Sequence, residues 1–186
     1  MSETTQLPEF DVDELHLRLV TLDDADAVYQ LIERNRENLA PWVGWVNQEF
    51  DEAKNRQFIQ ENLDNYERGV AYAMGVYDKG VLCGVVDIRG LGPDYSSEGR
   101  TEVGYYVDKE YRGRGIAPRA TSALIDFARE RHNFDTVILH TYKDNMASSR
   151  VAEKMGFVFE KDVVTDGVEE KKYKKELGPR GQTKTS

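Results

Sequence analysis

A chain of 186 residues suits one domain large enough to bury its own core. Its 25 Lys and Arg against 34 Asp and Glu leave a net charge of −9, which argues against a general nucleic-acid binder and favours a cationic or amine-bearing partner. The single cysteine, Cys83, excludes an internal disulfide; with a polar N-terminus and no run near the ~18 apolar residues of a membrane span, the expectation is a cytoplasmic protein.

Residues 1–12 read as a loose acidic leader, residues 13–177 as the single domain and residues 178–186 as a polar tail. Leu15, Leu17 and Leu19 alternate with His16 and Arg18, the period of a half-buried strand. Thr21 with Asp24 then forms a capping pair ahead of a helix whose Leu22, Ala25, Val28, Leu31 and Ile32 keep one apolar face to about Asn38. After Pro41, Asp51 opens a second helix, with Phe58, Ile59, Leu63 and Tyr66 at helical spacing up to Gly69.

Val70–Tyr77 and Val81–Arg89 read as a hairpin turned by Asp78-Lys79-Gly80, and Cys83 falls among Val81, Leu82, Val85 and Val86 as a buried strand thiol. A Gly/Pro/Ser-rich loop leads to a strand at Thr101–Val107. Arg112-Gly113-Arg114-Gly115-Ile116-Ala117 follows, and a helix carries Ala120, Leu124, Phe127 and Ala128 on one face. Val137–Leu139 is a buried strand, Asn145 begins a helix that Gly156 ends, and two closing strands span Phe157–Val164 and Glu169–Glu176. The run Lys171-Lys172-Tyr173-Lys174-Lys175 reads as a solvated face or a lysine-protected edge strand. Only residues 101–142 alternate strand, helix and strand as parallel pairing requires, so most of the sheet is antiparallel.

The glycine-arginine hexapeptide carries the chemistry. Two glycines let backbone amides turn toward a ligand, and the helix after them offers unpaired N–H groups and the positive end of its dipole, which together suit phosphate. Arg112 and Arg114 add charge-assisted donors, while Pro118 suits the first turn but removes one amide. A basic loop that only reverses the chain has the same composition. His16, His132 and His140 lack metal-ligand spacing, so no metal is expected.

This order of elements, with Arg-x-x-Gly-x-Ala at the strand-to-helix turn and an Asn-led helix ending in Gly156-Phe157, resembles the GNAT superfamily of acyl-CoA-dependent N-acyltransferases over about residues 14–176. The resemblance implies a mixed, mostly antiparallel sheet of about seven strands with about four helices, splayed between the fourth and fifth strands to admit acetyl-CoA. It places the pyrophosphate on Arg112, Gly113, Arg114, Gly115, Ile116 and Ala117, and the pantetheine arm along the strand ending in Tyr106 and Val107, with Asn145 and Ser148 beside it.

Many members carry a tyrosine seven residues after the Asn as the acid that protonates the leaving thiolate; here that position is Ala152. Ser148 instead matches the RimJ/RimL branch, where a serine has that role, although a serine in a first helical turn also serves as a cap. Glu102 matches the acidic start of the fourth strand and is the candidate base, with Glu160, Asp162, Glu169 and Glu170 as rivals; an ordinary strand-end carboxylate is the plain alternative. Leu39–Trp45 resembles the branch's Leu-x-x-Trp segment, so Trp42 and Trp45, with Tyr105, either wall the acceptor groove or belong to the core.

The implied activity is transfer of acetyl from acetyl-CoA to a protein N-terminal α-amine, of ribosomal-protein type, by direct attack in a monomer or homodimer. The alternatives are a small amine acceptor, such as a polyamine, aminoglycoside or amino acid, and an acyl-CoA-binding sensor without catalysis.

Overall fold

The computed structural model describes residues 7–46, 49–92 and 100–178. The eight strands are β1 (Glu9–Val12), β2 (Leu15–Leu19), β3 (Ala71–Asp78), β4 (Val81–Arg89), β5 (Arg100–Val107), β6 (Thr136–Tyr142), β7 (Val158–Thr165) and β8 (Val168–Glu176). The helices are α1 (Ala25–Leu39), α2 (Glu52–Glu67), α3 (Ile116–Arg129) and α4 (Met146–Lys154). No helix among the described residues is long and apolar enough to cross a membrane. Most of the Gly/Pro/Ser-rich loop before β5, and all but the first residue of the expected tail, lie outside the described residues.

Local chemistry sets the element ends. The Thr21 N–H donates to Asp24 Oδ2 at 2.9 Å, and Asp51 caps α2 by accepting from the Lys54 N–H at 2.8 Å. Lys79 and Gly80 both have positive φ, the backbone that a two-residue hairpin turn between β3 and β4 requires; Asp166 and Gly167 repeat it between β7 and β8.

The strands form one sheet in the order β1-β2-β3-β4-β5-β6-β8-β7. Every neighbouring pair is antiparallel except β5 and β6, which are parallel and joined through α3. The eighth strand is β1, in the stretch expected to be a loose leader: Phe10 pairs with Leu17 and stacks on Phe127 of α3 at 4.8 Å. The lysine run is also placed differently from a protected edge. β8 lies between β6 and β7, with Tyr173 buried, while Lys172 pairs with Glu160 at 2.8 Å and Lys175 donates to the Met155 carbonyl at 2.7 Å.

Two cores sandwich the sheet. On one face Ile116, Ala120, Leu124 and Ala128 of α3 pack with Leu17, Met74, Val86, Val103, Val137 and Leu139. On the other, Val28, Leu31 and Ile32 of α1 and Ile59 of α2 pack with Tyr77, Leu82 and Val85. Neighbours such as Val85 and Val86 go to opposite cores because successive strand side chains alternate.

Buried polar groups fix the end of β5 against α1. Asp108 accepts from Arg34 Nε at 2.5 Å and from the Glu110 N–H at 3.2 Å, while Asn35 accepts from the Lys109 N–H at 2.9 Å. Burial pushes the Asp108 carboxyl up, but the Arg34 and backbone hydrogen bonds outweigh it and hold it below its ordinary value. Asp108→Ala leaves Arg34 and the turn without their shared acceptor. We expect it to lower the unfolding free energy by about 2 kcal/mol in urea denaturation, at the low end for a broken buried pair because Arg34 reaches solvent.

Candidate active site

The loop after β5 is shaped at its two glycines. Gly113 and Gly115 have φ of 77° and 71°, a region that disfavours any residue with a Cβ, and Gly115 is the N-cap of α3. Nothing lies within 4 Å of where a Cβ on Gly113 would sit, so the backbone there is open. Ile116 is buried in the core, which limits its share of the cradle to its N–H, and the Ala117 N–H follows it in the unpaired first turn. These amides fit a pyrophosphate.

The flanking arginines are already oriented, one by a carboxylate and one by a backbone carbonyl. Arg114 donates to buried Asp78 at 2.6 Å and Arg112 Nε to the Val107 carbonyl at 3.3 Å, so each guanidinium keeps further donors for an anion. Arg119, which sequence reasoning missed, stands in the same first turn and is held at 2.9 Å by Asp13 and Glu14. Its only sequence signal is its place three residues into a helix that starts at a phosphate loop.

β5 and β6 are paired only from Arg100/Thr136 to Glu102/Ile138. Beyond that point β5 follows β4 and β6 follows β8, and the two strands part. Between residues 103 and 107 the β6-facing edge of β5 therefore has backbone amides and carbonyls without a strand partner, a fit for the amide-bearing arm of pantetheine.

Across this opening stands α4. Asn145 accepts from the Ser148 N–H at 3.1 Å as the helix cap, and Ser148 Oγ lies 2.7 Å from the Tyr105 hydroxyl. Ala152, one turn further along the same helix face, is wholly buried. β5 thus sets a phenol, that of Tyr105, beside Ser148. This places Tyr105 on the α3/α4 face of the sheet, away from the acceptor groove expected for it. Tyr106 instead lies on the face that carries Trp45 and meets it edge-on at 6.2 Å, because adjacent strand residues face opposite ways.

The face that carries Tyr106 gathers the remaining candidates. Trp45 stacks on Phe58 at 5.3 Å, and Trp42 meets Tyr142 edge-on at 6.2 Å. A groove of about 320 Å³ beside Trp45 is lined by Phe50, Lys54, Gln57, Phe58 and Glu61. On the strands beneath, Asp87 lies over Gly104, where a Cβ would come within 2.6 Å of its Oδ2. Arg89 bridges Asp87 at 2.9 Å and Glu102 at 2.7 Å, and His140 Nδ1 lies 3.6 Å from Glu102 and 4.0 Å from Glu170.

This geometry alters the expected role of Glu102. Burial raises its proton affinity, but His140 and Arg89 outweigh burial and hold its carboxyl at about 2. A carboxylate so strongly committed to cations is a poor acceptor for an amine's proton. Among the rivals, Glu160 is paired with Lys172 and Glu169 with Lys143, while Asp162 stands on the outer strand β7; only Glu170 joins the cluster. Cys83 is fully buried, and burial, with Asp78 nearby, pushes its thiol up to about 11, which removes it as a nucleophile.

Comparison with known proteins gives a consistent result. The profile of the acetyltransferase (GNAT) domain matches residues 14–158. The ribosomal-protein-serine acetyltransferase of Escherichia coli (strain K12) is 28% identical over 160 residues, covering 86% of each chain. A spermine/spermidine N(1)-acetyltransferase of Bacillus subtilis (strain 168) is 29% identical over 108 residues, 56% of this chain and 69% of the other. The solved structure of RimL, a ribosomal L7/L12 alpha-N-protein acetyltransferase in complex with coenzyme A, superposes with a TM-score of 0.83 at 21% identity, covering 91% of this chain and 98% of that one.

The charge cluster has a measurable signature in acid. Because Glu102 falls from the usual 4.5 to about 2, its contribution is complete above pH about 4.5 and is lost as pH falls toward about 2. Glu102→Gln should therefore narrow the stability difference between neutral and acid solution. Urea denaturation of wild type and variant at about pH 7 and pH 3 measures it; parallel losses in both would show that Glu102 carries no depressed titration.

Proposed function

The chain belongs to the GNAT acetyltransferase family, whose members transfer acetyl from acetyl-CoA to nitrogen, and we propose that its acceptor is the N-terminal α-amine of a protein of ribosomal type. The observation that carries this reading is the Asn145-capped helix that presents Ser148, with Tyr105 behind it, to the gap between β5 and β6. The E. coli relative, matched over most of both chains, is by name a ribosomal-protein-serine acetyltransferase, which supports the acceptor class. The Trp45–Phe58 groove supports it too, since an extended peptide following the amine needs a surface that a small amine does not.

In this reading the loop amides from Gly113 to Ala117, with Arg112 and Arg114, bind the pyrophosphate, and the free edge of β5 at Tyr106 and Val107 aligns the pantetheine arm. Trp42, Trp45 and Tyr106 enclose the acceptor and exclude water from it. Ser148, with its hydroxyl positioned by Tyr105, donates to the sulfur as the acetyl group leaves; Asn145 holds the turn that places it. The Glu102 cluster lies on the acceptor side and offers an acidic surface to an ammonium.

One observation favours a second acceptor. The acidic groups Asp87, Glu102 and Glu170 share one face, and the B. subtilis relative acts by name on spermine and spermidine. Thiol-release kinetics with acetyl-CoA separate the two. Peptides with N-terminal Ser or Ala should be acetylated with kcat/KM at least about tenfold above spermine. The reverse order would assign the enzyme to polyamines.

Ser148→Ala tests the acid. Turnover should fall at least about tenfold while acetyl-CoA affinity is nearly kept, since one hydroxyl is lost from a donor position and none from the phosphate cradle. Unchanged turnover under rate-limiting chemistry would leave Ser148 a helix-turn residue.

A further inference from the structure

We infer that His140 is the general base of the transfer, and that Glu102 and Glu170 are its positioning partners. The inference rests on the acetyl-transfer reading above, but not on which amine is the acceptor.

The placement comes from the parting of the strands. His140 lies two residues beyond Ile138, the last residue of β6 that pairs with β5, and so shares its face with Ile138 and Tyr142 at the open end. Its Nδ1 faces Glu102 of β5 at 3.6 Å and Glu170 of β8 at 4.0 Å. Tyr142, on the same face, meets Trp42, so the imidazole sits in the strip between the acidic cluster and the tryptophan wall. With Nδ1 turned to two carboxylates, Nε2 is the nitrogen left to take a proton. The arrangement follows the logic of a carboxylate-oriented imidazole in acyl transfer.

The surrounding charges act on the imidazole from several strands. Glu102 raises the proton affinity of His140 above its ordinary value against the effect of burial; Glu170 adds to the rise and Lys172, beside it on β8, opposes it. Arg89 of β4 draws off part of the Glu102 charge from the far side, and Asp87 shares Arg89. His140 thus has a proton affinity raised above that of an ordinary imidazole, whereas Glu102 is held as an anion.

The step balances as follows. The acceptor ammonium gives one proton to His140 Nε2, and the freed lone pair forms the C–N bond to the acetyl carbon. The C–S bond breaks with its electron pair on sulfur. The second nitrogen proton ends on that sulfur through the Ser148 hydroxyl, and His140 releases its proton to solvent before the next turnover.

The test compares His140→Gln, Glu102→Gln and wild type in pH profiles of kcat/KM, using acetyl-CoA and whichever of the Ser-terminal peptide or spermine wild type prefers. His140→Gln should fall by roughly 10²- to 10⁴-fold and lose the acid limb. Glu102→Gln should keep an acid limb but move it to lower pH, because a neighbouring negative charge has gone. A His140→Gln enzyme with wild-type rate and profile overturns the inference, as does loss of the whole limb in Glu102→Gln alone. A preference for spermine would overturn the peptide reading and leave this test intact. If wild type acetylates neither amine, imidazole NMR of the CoA-bound protein decides: a His140 resonance titrating above about 6.5, and lower in Glu102→Gln, supports it, and an unshifted one overturns it.

Discussion

The site depends on one short stretch of parallel pairing. β5 and β6 share three residue pairs and then separate, each retained by its antiparallel neighbour on the other side. A parallel pair needs a crossover, and here the crossover is α3, which must begin where β5 ends. That requirement sets a helix N-terminus, with its inward-pointing amides, at the same end of the sheet as the gap. Phosphate recognition and the opening for the reacting arm therefore come from one topological fact.

The two faces of the opening divide the chemistry. On the α3/α4 face two neutral hydroxyls, Tyr105 and Ser148, are joined at 2.7 Å beside an apolar core. Burial pushes the Tyr105 phenol up to about 12, so it holds its proton and can orient the serine without ionising. The opposite face carries Asp87, Arg89, Glu102, His140 and Glu170, a chain of alternating charge. In the proposed reading, neutral donors stand on the side of the leaving sulfur and charged groups on the side of the incoming amine, matching the charges that each partner develops.

Much of this was legible in local sequence. The Lys79-Gly80 turn, the Asp51 and Asn145 caps, the Gly113 and Gly115 loop and the buried Cys83 all follow from short-range rules about φ, capping and periodicity. The parallel pair was legible too, because it requires a helical crossover. The missing information was long-range. β1 alternates Phe10 and Val12 with two acids over only four residues, too short a pattern to stand out from an acidic leader. The faces of Tyr105 and Tyr106 depend on strand register, which a slip of one residue would exchange. Arg89 and His140 neutralise Glu102 from positions 13 and 38 residues away along the chain, and their convergence is fixed only when three strands meet in the sheet.

The position of β8 has a consequence for biosynthesis. β8, the last strand in chain order among the described residues, is an internal one, hydrogen-bonded on both sides by β6 and β7. Until residues 168–176 leave the ribosome, β6 has only three paired residues to hold it and the Glu170 side of the cluster does not exist. The N-terminal meander from β2 to β5 can assemble as it emerges, but the half of the sheet from β6 to β7 waits for residues 168–176. A nascent chain stalled before β8 would contain the complete glycine-arginine loop but would lack the strand that holds β6 and β7 together.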